Sequence, residues 1–119
     1  MSNSPFPLFS QLQTFLFRRS DLNSHAIEAL SKAIFEVEKY YRDIRLGETP
    51  SRERETKIAE CWREAAEPVR RVDASFSMIC ERKVYLWLNP SEYSRQDIKD
   101  YEMSLESIRR RLQELKEKK

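Results

Sequence analysis

The chain has 119 residues, 35% of them charged, and 22 basic residues against 20 acidic ones give a net charge of +2. That length predicts one domain, and a charge balance this even does not by itself indicate nucleic acid or membrane binding. Sheet turns, Rossmann turns, phosphate-binding loops and nucleophile elbows depend on glycine, and Gly47 is the only one in the sequence. The composition therefore predicts an all-α protein.

Residues 1–22 are predicted to form a short amphipathic N-terminal helix. Ser4 followed by Pro5 suits the first turn of a helix. At about 100° per residue, five apolar residues fall within an arc of roughly 120°: Leu8, Phe9, Leu12, Phe15 and Leu16. Phe6 and Phe17 fall outside that arc, so the helix has more apolar surface than one face can bury.

The tetrapeptide Ser20-Asp21-Leu22-Asn23 is predicted to break the chain and to cap a second helix over residues 24–46. The apolar stripe of that helix steps by three and four residues through Ile27, Leu30, Ile34, Val37, Tyr41 and Ile44, widened by Ala26, Ala33 and Tyr40. Gly47 supplies the left-handed residue that often follows a helix end.

Three further helices are predicted to follow. Thr49 and Pro50 open one, and Asp73 caps the next, which Pro90 stops. The helix after Asp73 is predicted to carry an apolar set of Phe76, Ile79, Cys80, Val84 and Trp87. Ser94 caps a last helix with a heptad seam of Ile98, Tyr101, Leu105, Ile108, Leu112 and Leu115. Short connections between such helices predict an antiparallel up-and-down four-helix bundle over residues 23–119 with the N-terminal helix added.

The sequence contains few of the residues that catalysis or metal binding needs. His25 is the only histidine, which excludes multi-histidine metal sites and the Glu-x-x-His pairs of di-iron bundles. Cys61 and Cys80 form no C-x-x-C motif, and no apolar run approaches the length of a membrane span. We therefore expect a cytoplasmic, non-catalytic protein with no metal, no cofactor and no small-molecule substrate.

The spacing of Arg19 and His25, with five residues between them, resembles the R-x(4–6)-H motif of the HEPN superfamily. This resemblance implies an RNA-directed helical protein in which the arginine contacts phosphate and the histidine does acid–base work on a 2′-hydroxyl. Such an RNA nuclease or RNA binder is the alternative function. Its candidate residues are Arg19, His25, Arg70, Arg71 and Arg82.

Aromatic and aliphatic residues in excess of what the core needs favour protein–protein contact instead. Tyr85-Leu86-Trp87-Leu88 is an apolar run of which at least one member must face away from the core. We expect an interaction module, adaptor or accessory subunit that binds another protein or a second copy of itself. Its partner-binding residues would be Phe6, Leu8, Phe9, Leu12, Phe15 and Leu16, with Tyr85 and Trp87 as a second patch. Whether the N-terminal helix packs on its own bundle or on a partner stays open at this point.

Overall fold

The fold is all-α, as the composition predicts. A computed structural model describes the backbone of residues 6–118 and the side chains of residues 20–118. That part of the chain contains five α-helices, one 3-10 turn and no strand. The elements are α1 Phe6–Arg45, α2 Arg52–Arg70, α3 Ala74–Leu88, the 3-10 turn Pro90–Glu92, α4 Arg95–Asp100 and α5 Leu105–Glu117.

The predicted break at residues 20–23 is wrong, because α1 is one continuous helix of 40 residues. Ser, Asp and Asn inside a helix disfavour it by only a few tenths of a kcal/mol each, and no glycine or proline interrupts this stretch. Asn23 and Ala26 are buried against the rest of the protein. Tertiary burial therefore outweighs local preference, and the boundary drawn between residues 22 and 23 falls inside α1.

The turn between α1 and α2 forms as expected around Gly47, whose φ is +107°. The Glu48 N–H donates to the Asp43 carbonyl at 3.0 Å, which closes a Schellman-type helix end. α2 is capped by Ser51 rather than by Thr49, and the Ser51 hydroxyl accepts a hydrogen bond from the third residue of the helix. The turn is short enough to set α1 and α2 side by side.

The Asp73 cap of α3 is confirmed, since its carboxylate accepts the Phe76 N–H at 3.0 Å. The single last helix is wrong, because α4 and α5 are separated by a turn in which Glu102 has a φ of +51°. Tyr101 is half-exposed, and Met103 is fully buried in its place. The heptad spacing placed Tyr101 in the apolar seam and therefore did not predict that Met103 is buried instead.

α2 runs antiparallel to both α1 and α3. Tyr40, near the end of α1, bonds Glu55 near the start of α2. Lys32, about two turns before Tyr40 in α1, pairs with Glu64, about two turns after Glu55 in α2. The Ser77 hydroxyl of α3 donates to the Ala66 carbonyl of α2 at 2.9 Å. We call α1 from Asn23 onward, α2, α3 and α5 the helical core, and its largest fully buried side chains are Trp62, Phe76, Leu30, Met103, Ile108, Val69 and Cys80.

Tyr40 ties the first connection of the core together. Its buried hydroxyl donates to Glu55 Oε2 at 2.6 Å and accepts the Ser51 N–H at 2.9 Å. We expect Tyr40→Phe to lower the free energy of unfolding by about 1–3 kcal/mol, because a charge-assisted bond is lost and the Ser51 N–H loses its partner. Urea denaturation followed by circular dichroism measures this loss. Tyr41→Phe, at a half-exposed neighbour, is the matched control and should change little.

Candidate protein-interaction surface

α1 extends past the end of the helical core. Leu22 and His25 share a small cleft of about 150 Å³ with Pro68 and Arg71, which lie where α2 ends. Because α1 and α2 are antiparallel there, the residues of α1 before Leu22 continue beyond that end of α2. We call residues 6–19 of α1 the N-terminal arm. At 1.5 Å per residue, it is about 21 Å long.

The arm holds six of the predicted partner-binding residues, Phe6, Leu8, Phe9, Leu12, Phe15 and Leu16. The structure describes their backbone as helical, and their side chains lie outside the described residues. Because α1 is continuous, the positions of these residues around the helix can be compared with those of the buried residues further along it. At about 100° per residue, the mean direction of the last five differs by only about 20° from that of the buried positions in residues 23–40. The apolar stripe of the arm therefore continues the stripe that faces the core.

The second predicted patch is only partly exposed. Tyr85 is 58% exposed and lines a groove of about 600 Å³ between α2 and α3, together with Val84, Leu88 and Ala66. The groove carries charges of both signs at Arg63, Glu67, Arg70 and Glu81. Its lining therefore combines apolar side chains with charged ones.

Trp87 does not belong to that patch, and its prediction as an exposed anchor is corrected. It is 7% exposed and lies edge-on to Tyr40, with ring centres 5.9 Å apart and planes at 70°. The reason is helical register. Trp87 lies four residues after Lys83 and seven after Cys80, on the buried side of α3, whereas Tyr85 lies about 200° around the helix from it.

Among the described side chains of the alternative function, Arg70, Arg71 and His25 lie around Glu67, whereas Arg82 lies apart on α3. Arg70 and Arg71 both pair with Glu67, at 2.5 and 3.6 Å, and Arg82 stacks on Tyr101 with its guanidinium carbon 3.8 Å from the ring centre. His25 is exposed and its Nε2 lies 3.8 Å from Asp21. The cleft brings His25 and Arg71 together. The side chain of Arg19 lies outside the described residues.

Lys83 is the residue that the sequence analysis missed. It is 7% exposed, at a core position of α3, with its Nζ 5.9 Å from the centre of the Trp62 ring. Among residues 20–118 no carboxylate forms a salt bridge with it. Burial therefore lowers the pKa of Lys83 to about 8. The spacing of Phe76, Cys80, Lys83 and Trp87, in steps of four, three and four, was the available signal.

The cysteines are free thiols rather than a disulfide. Burial raises the pKa of Cys80 to about 12 and raises that of the half-buried Cys61 as well. Reactive cysteines have a lowered pKa, so neither thiol is activated as a nucleophile.

Within the described part of the chain, no three His, Cys, Asp or Glu side chains are grouped closely enough to hold a metal ion. No helix there is both long and apolar enough to cross a bilayer. Comparison with protein-family models, with curated proteins and with solved structures gave no match to this chain.

Proposed function

We propose that this protein is a non-catalytic helical interaction module, an adaptor or accessory subunit, whose docking element is the N-terminal arm. The helical core would be an antiparallel up-and-down four-helix bundle that holds α1 rigidly from Asn23 onward. The observation that carries the proposal is the length of α1, which continues beyond the end of α2 with its apolar stripe in register with the core. An apolar stripe that leaves a core in this way offers a ready surface for a partner helix.

Charge distribution supports the arm as the docking element. Residues 1–17 contain no acidic or basic residue, although 35% of the whole chain is charged. The centres of protein interfaces are depleted of charged residues and enriched in aromatic ones. The arm has both properties, since Phe6, Phe9, Phe15 and Phe17 all lie within this neutral stretch.

Tyr85 supplies a second contact in this proposal. Tyrosine is among the residues that most often anchor an interface, because it combines a large apolar ring with a polar tip. The groove beside it is lined by Leu88 and Val84 and by charges of both signs, so it suits a peptide or helix of balanced charge.

An affinity capture from the native host tests the proposed function. The tagged full-length chain is used as bait after nuclease treatment, beside the variants Leu12→Lys and Ser10→Lys. Leu12 lies in the middle of the apolar arc, whereas Ser10 lies about 160° around the helix from it, so both variants add the same charge at the same depth of the arm. We expect a stoichiometric protein that Leu12→Lys loses and Ser10→Lys keeps. Equal capture by both variants contradicts the arm as the docking element.

One observation favours the alternative function, an RNA-directed protein with the HEPN-like pair. In the continuous α1, residues 19 and 25 belong to one helix, as the arginine and histidine of that motif do. Arg71 lies in the same cleft as His25 and could add a phosphate contact. Glu67 also lines this cleft and pairs with both Arg70 and Arg71, whereas Arg82 stacks on Tyr101, so this candidate has a smaller free basic site than the sequence predicted.

If the chain cleaves RNA, we expect His25→Ala to lower the cleavage rate by about 100-fold or more, because the acid–base group is removed. The measurement is the loss of full-length single-stranded RNA with time. Ser24→Ala, at the adjacent position, is the control and should cleave normally. Cleavage that survives His25→Ala removes this alternative. His25 is exposed, so its replacement should leave the fold intact, which circular dichroism verifies.

A further inference from the structure

We propose that the occupant of the N-terminal arm is the arm of a second copy of this chain, packed antiparallel about a two-fold axis at Leu12. This inference rests on the proposed function, since it names the partner of the same docking element. It is carried by the order of residues in the arm and by the place where the helical core begins.

The arm reads almost the same in both directions. The nine residues Leu8-Phe9-Ser10-Gln11-Leu12-Gln13-Thr14-Phe15-Leu16 are symmetric about Leu12, with Ser10 and Thr14 as the only unlike pair. In a two-fold symmetric contact, residue i of one copy meets residue j of the other and j meets i. An antiparallel pair centred on Leu12 therefore sets Leu8 opposite Leu16, Phe9 opposite Phe15, and Leu12 opposite itself. Every apolar position of the arc meets an apolar position of matching type.

The length of α1 agrees with this pairing. Residue 6, where the helix begins, would lie level with residue 18 of the other copy, one turn short of Leu22 at the edge of the core. Leu22 is about 15 Å along the helix from the axis at Leu12, so the two cores would sit on opposite sides, about 30 Å apart. The paired arms therefore fill the space between two cores without either core obstructing the other arm.

Charge also favours a second copy. Because residues 6–17 carry no charge, a self-pairing brings no like charges together, and Arg18 and Arg19 fall at the two outer ends. Ten apolar side chains would be buried, on the order of 1,000 Å² in total, which is the lower end of specific interfaces. We therefore expect a dimer that dissociates on dilution rather than a permanent one.

A membrane surface suits the arm less well. Helices that lie on membranes usually carry lysines and arginines on their polar face. The polar positions between Leu8 and Leu16 are Ser10, Gln11, Gln13 and Thr14, all of them neutral. The arm thus lacks the electrostatic attraction to anionic lipid that such helices use.

Sedimentation equilibrium of the purified full-length protein over a range of concentrations tests the pairing. We expect wild type and Ser10→Lys to pass from monomer to dimer with rising concentration, and Leu12→Lys to weaken dimerisation at least 100-fold, because two lysines would meet at the axis. Circular dichroism of each variant verifies that the helices remain. A monomeric wild type at every concentration, or a dimer that Leu12→Lys leaves unchanged, overturns the proposal.

Cysteine cross-linking tests the antiparallel register, in a background in which Cys61 is Ser and Cys80 is Ala. Two residues must have Cα atoms within about 7 Å to form a disulfide. In the proposed pair the two copies of residue 8 are about 12 Å apart along the axis, whereas residue 8 of one copy lies opposite residue 16 of the other. A mixture of Leu8→Cys and Leu16→Cys should therefore give the mixed dimer, and neither variant alone should cross-link. Cross-linking of each variant alone indicates a parallel pair and overturns the register.

The outcomes separate this inference from the proposed function. A monomer that captures a different protein through the arm, with Leu12→Lys losing it, overturns the self-pairing and leaves the interaction module standing. A monomer that instead binds anionic phospholipid vesicles in a Leu12-dependent way overturns both. A dimer with the predicted cross-links supports both.

Discussion

Replacing Lys83 by methionine is expected to stabilise the protein by roughly 2–3 kcal/mol at pH 7. Methionine has a similar length and no charge, so it can fill the same space beside Trp62. The distance between the ordinary pKa of 10.5 and the value of about 8 in the folded protein corresponds to roughly 3 kcal/mol, which the folded state loses by holding Lys83 charged in the core. Urea denaturation of both proteins, followed by circular dichroism, measures the difference.

The same burial makes stability depend on pH in a defined window. The pKa of Lys83 is lower in the folded than in the unfolded state, so between pH 8 and 10.5 the unfolded chain binds more protons. The free energy of unfolding therefore rises with pH in that window, and this gain is lost as the pH falls back through 8. Cys80 acts in the opposite sense above pH 9, since its raised pKa keeps it neutral in the folded state while the unfolded thiol ionises. The clearest rise is expected between pH 8 and 9, by about 1 kcal/mol.

Two controls make this prediction specific to Lys83. Lys83→Met should abolish the rise between pH 8 and 9, whereas Lys57→Met, at an exposed position of α2, should preserve it and change stability by less than about 0.5 kcal/mol. Cys80→Ala should extend the rise above pH 9. A Lys83→Met protein that is less stable than wild type at pH 7 would show that the ammonium group has a favourable partner in solution.

Helical register explains both what the sequence predicted of α3 and what it missed. The apolar set predicted for α3 includes Phe76, Ile79 and Cys80, and all three are buried. That set included Val84, which is only partly buried, because valine is apolar, and it left out Lys83, which is buried. Register alone selects Lys83, which lies three residues after Cys80 and four before Trp87. That prediction followed the polarity of each residue, whereas burial in α3 follows the position of each residue around the helix.

The structure differs from the sequence-based prediction at two other places. At the first a local signal was given too much weight, and at the second there was no local signal. Ser20-Asp21-Leu22-Asn23 has the composition of a helix cap, but burial of Asn23 on the core keeps α1 helical. The turn at Glu102 contains no glycine or proline, so it could not be predicted from residue type. It forms because Met103 is buried there, and Arg111 of α5 bonds the Glu102 carboxylate at 2.9 Å. Both are tertiary effects.

The candidate site also has one part that could be predicted from the sequence and one part that could not. The apolar arc of the arm could be predicted from spacing alone, because a helix of any context repeats every 3.6 residues. That the arc continues the face of the core could not be predicted, since the supposed break at residues 20–23 would have freed the two helices to rotate. Trp87 was assigned to the surface because the run Tyr85–Leu88 has no polar member to show which side is buried.

Trp62→Ala is expected to be the most destabilising single substitution in α2, at about 3–5 kcal/mol. Trp62 is fully buried at the centre of the core, and its removal leaves a cavity that the surrounding helices cannot close completely. A domain of this size has a total stability of about 5–15 kcal/mol, so the variant should unfold at much lower urea concentration or fail to fold at growth temperature. Arg63→Ala, at the next and exposed position, is the control and should change stability by no more than about 0.5 kcal/mol.

Trp62→Phe separates the loss of volume from the loss of the indole N–H. Trp62 Nε1 is buried and has no hydrogen-bond partner among the described residues. An unpaired buried donor costs about 1–3 kcal/mol, so phenylalanine regains part of what it loses in packing, and we expect a net change within about 1 kcal/mol. The ring also faces the Lys83 ammonium, an attraction that phenylalanine provides less well than tryptophan. In a double-mutant cycle, Trp62→Phe should therefore cost less in the Lys83→Met background than in wild type. Equal costs in the two backgrounds would contradict a favourable contact between Lys83 and the indole ring.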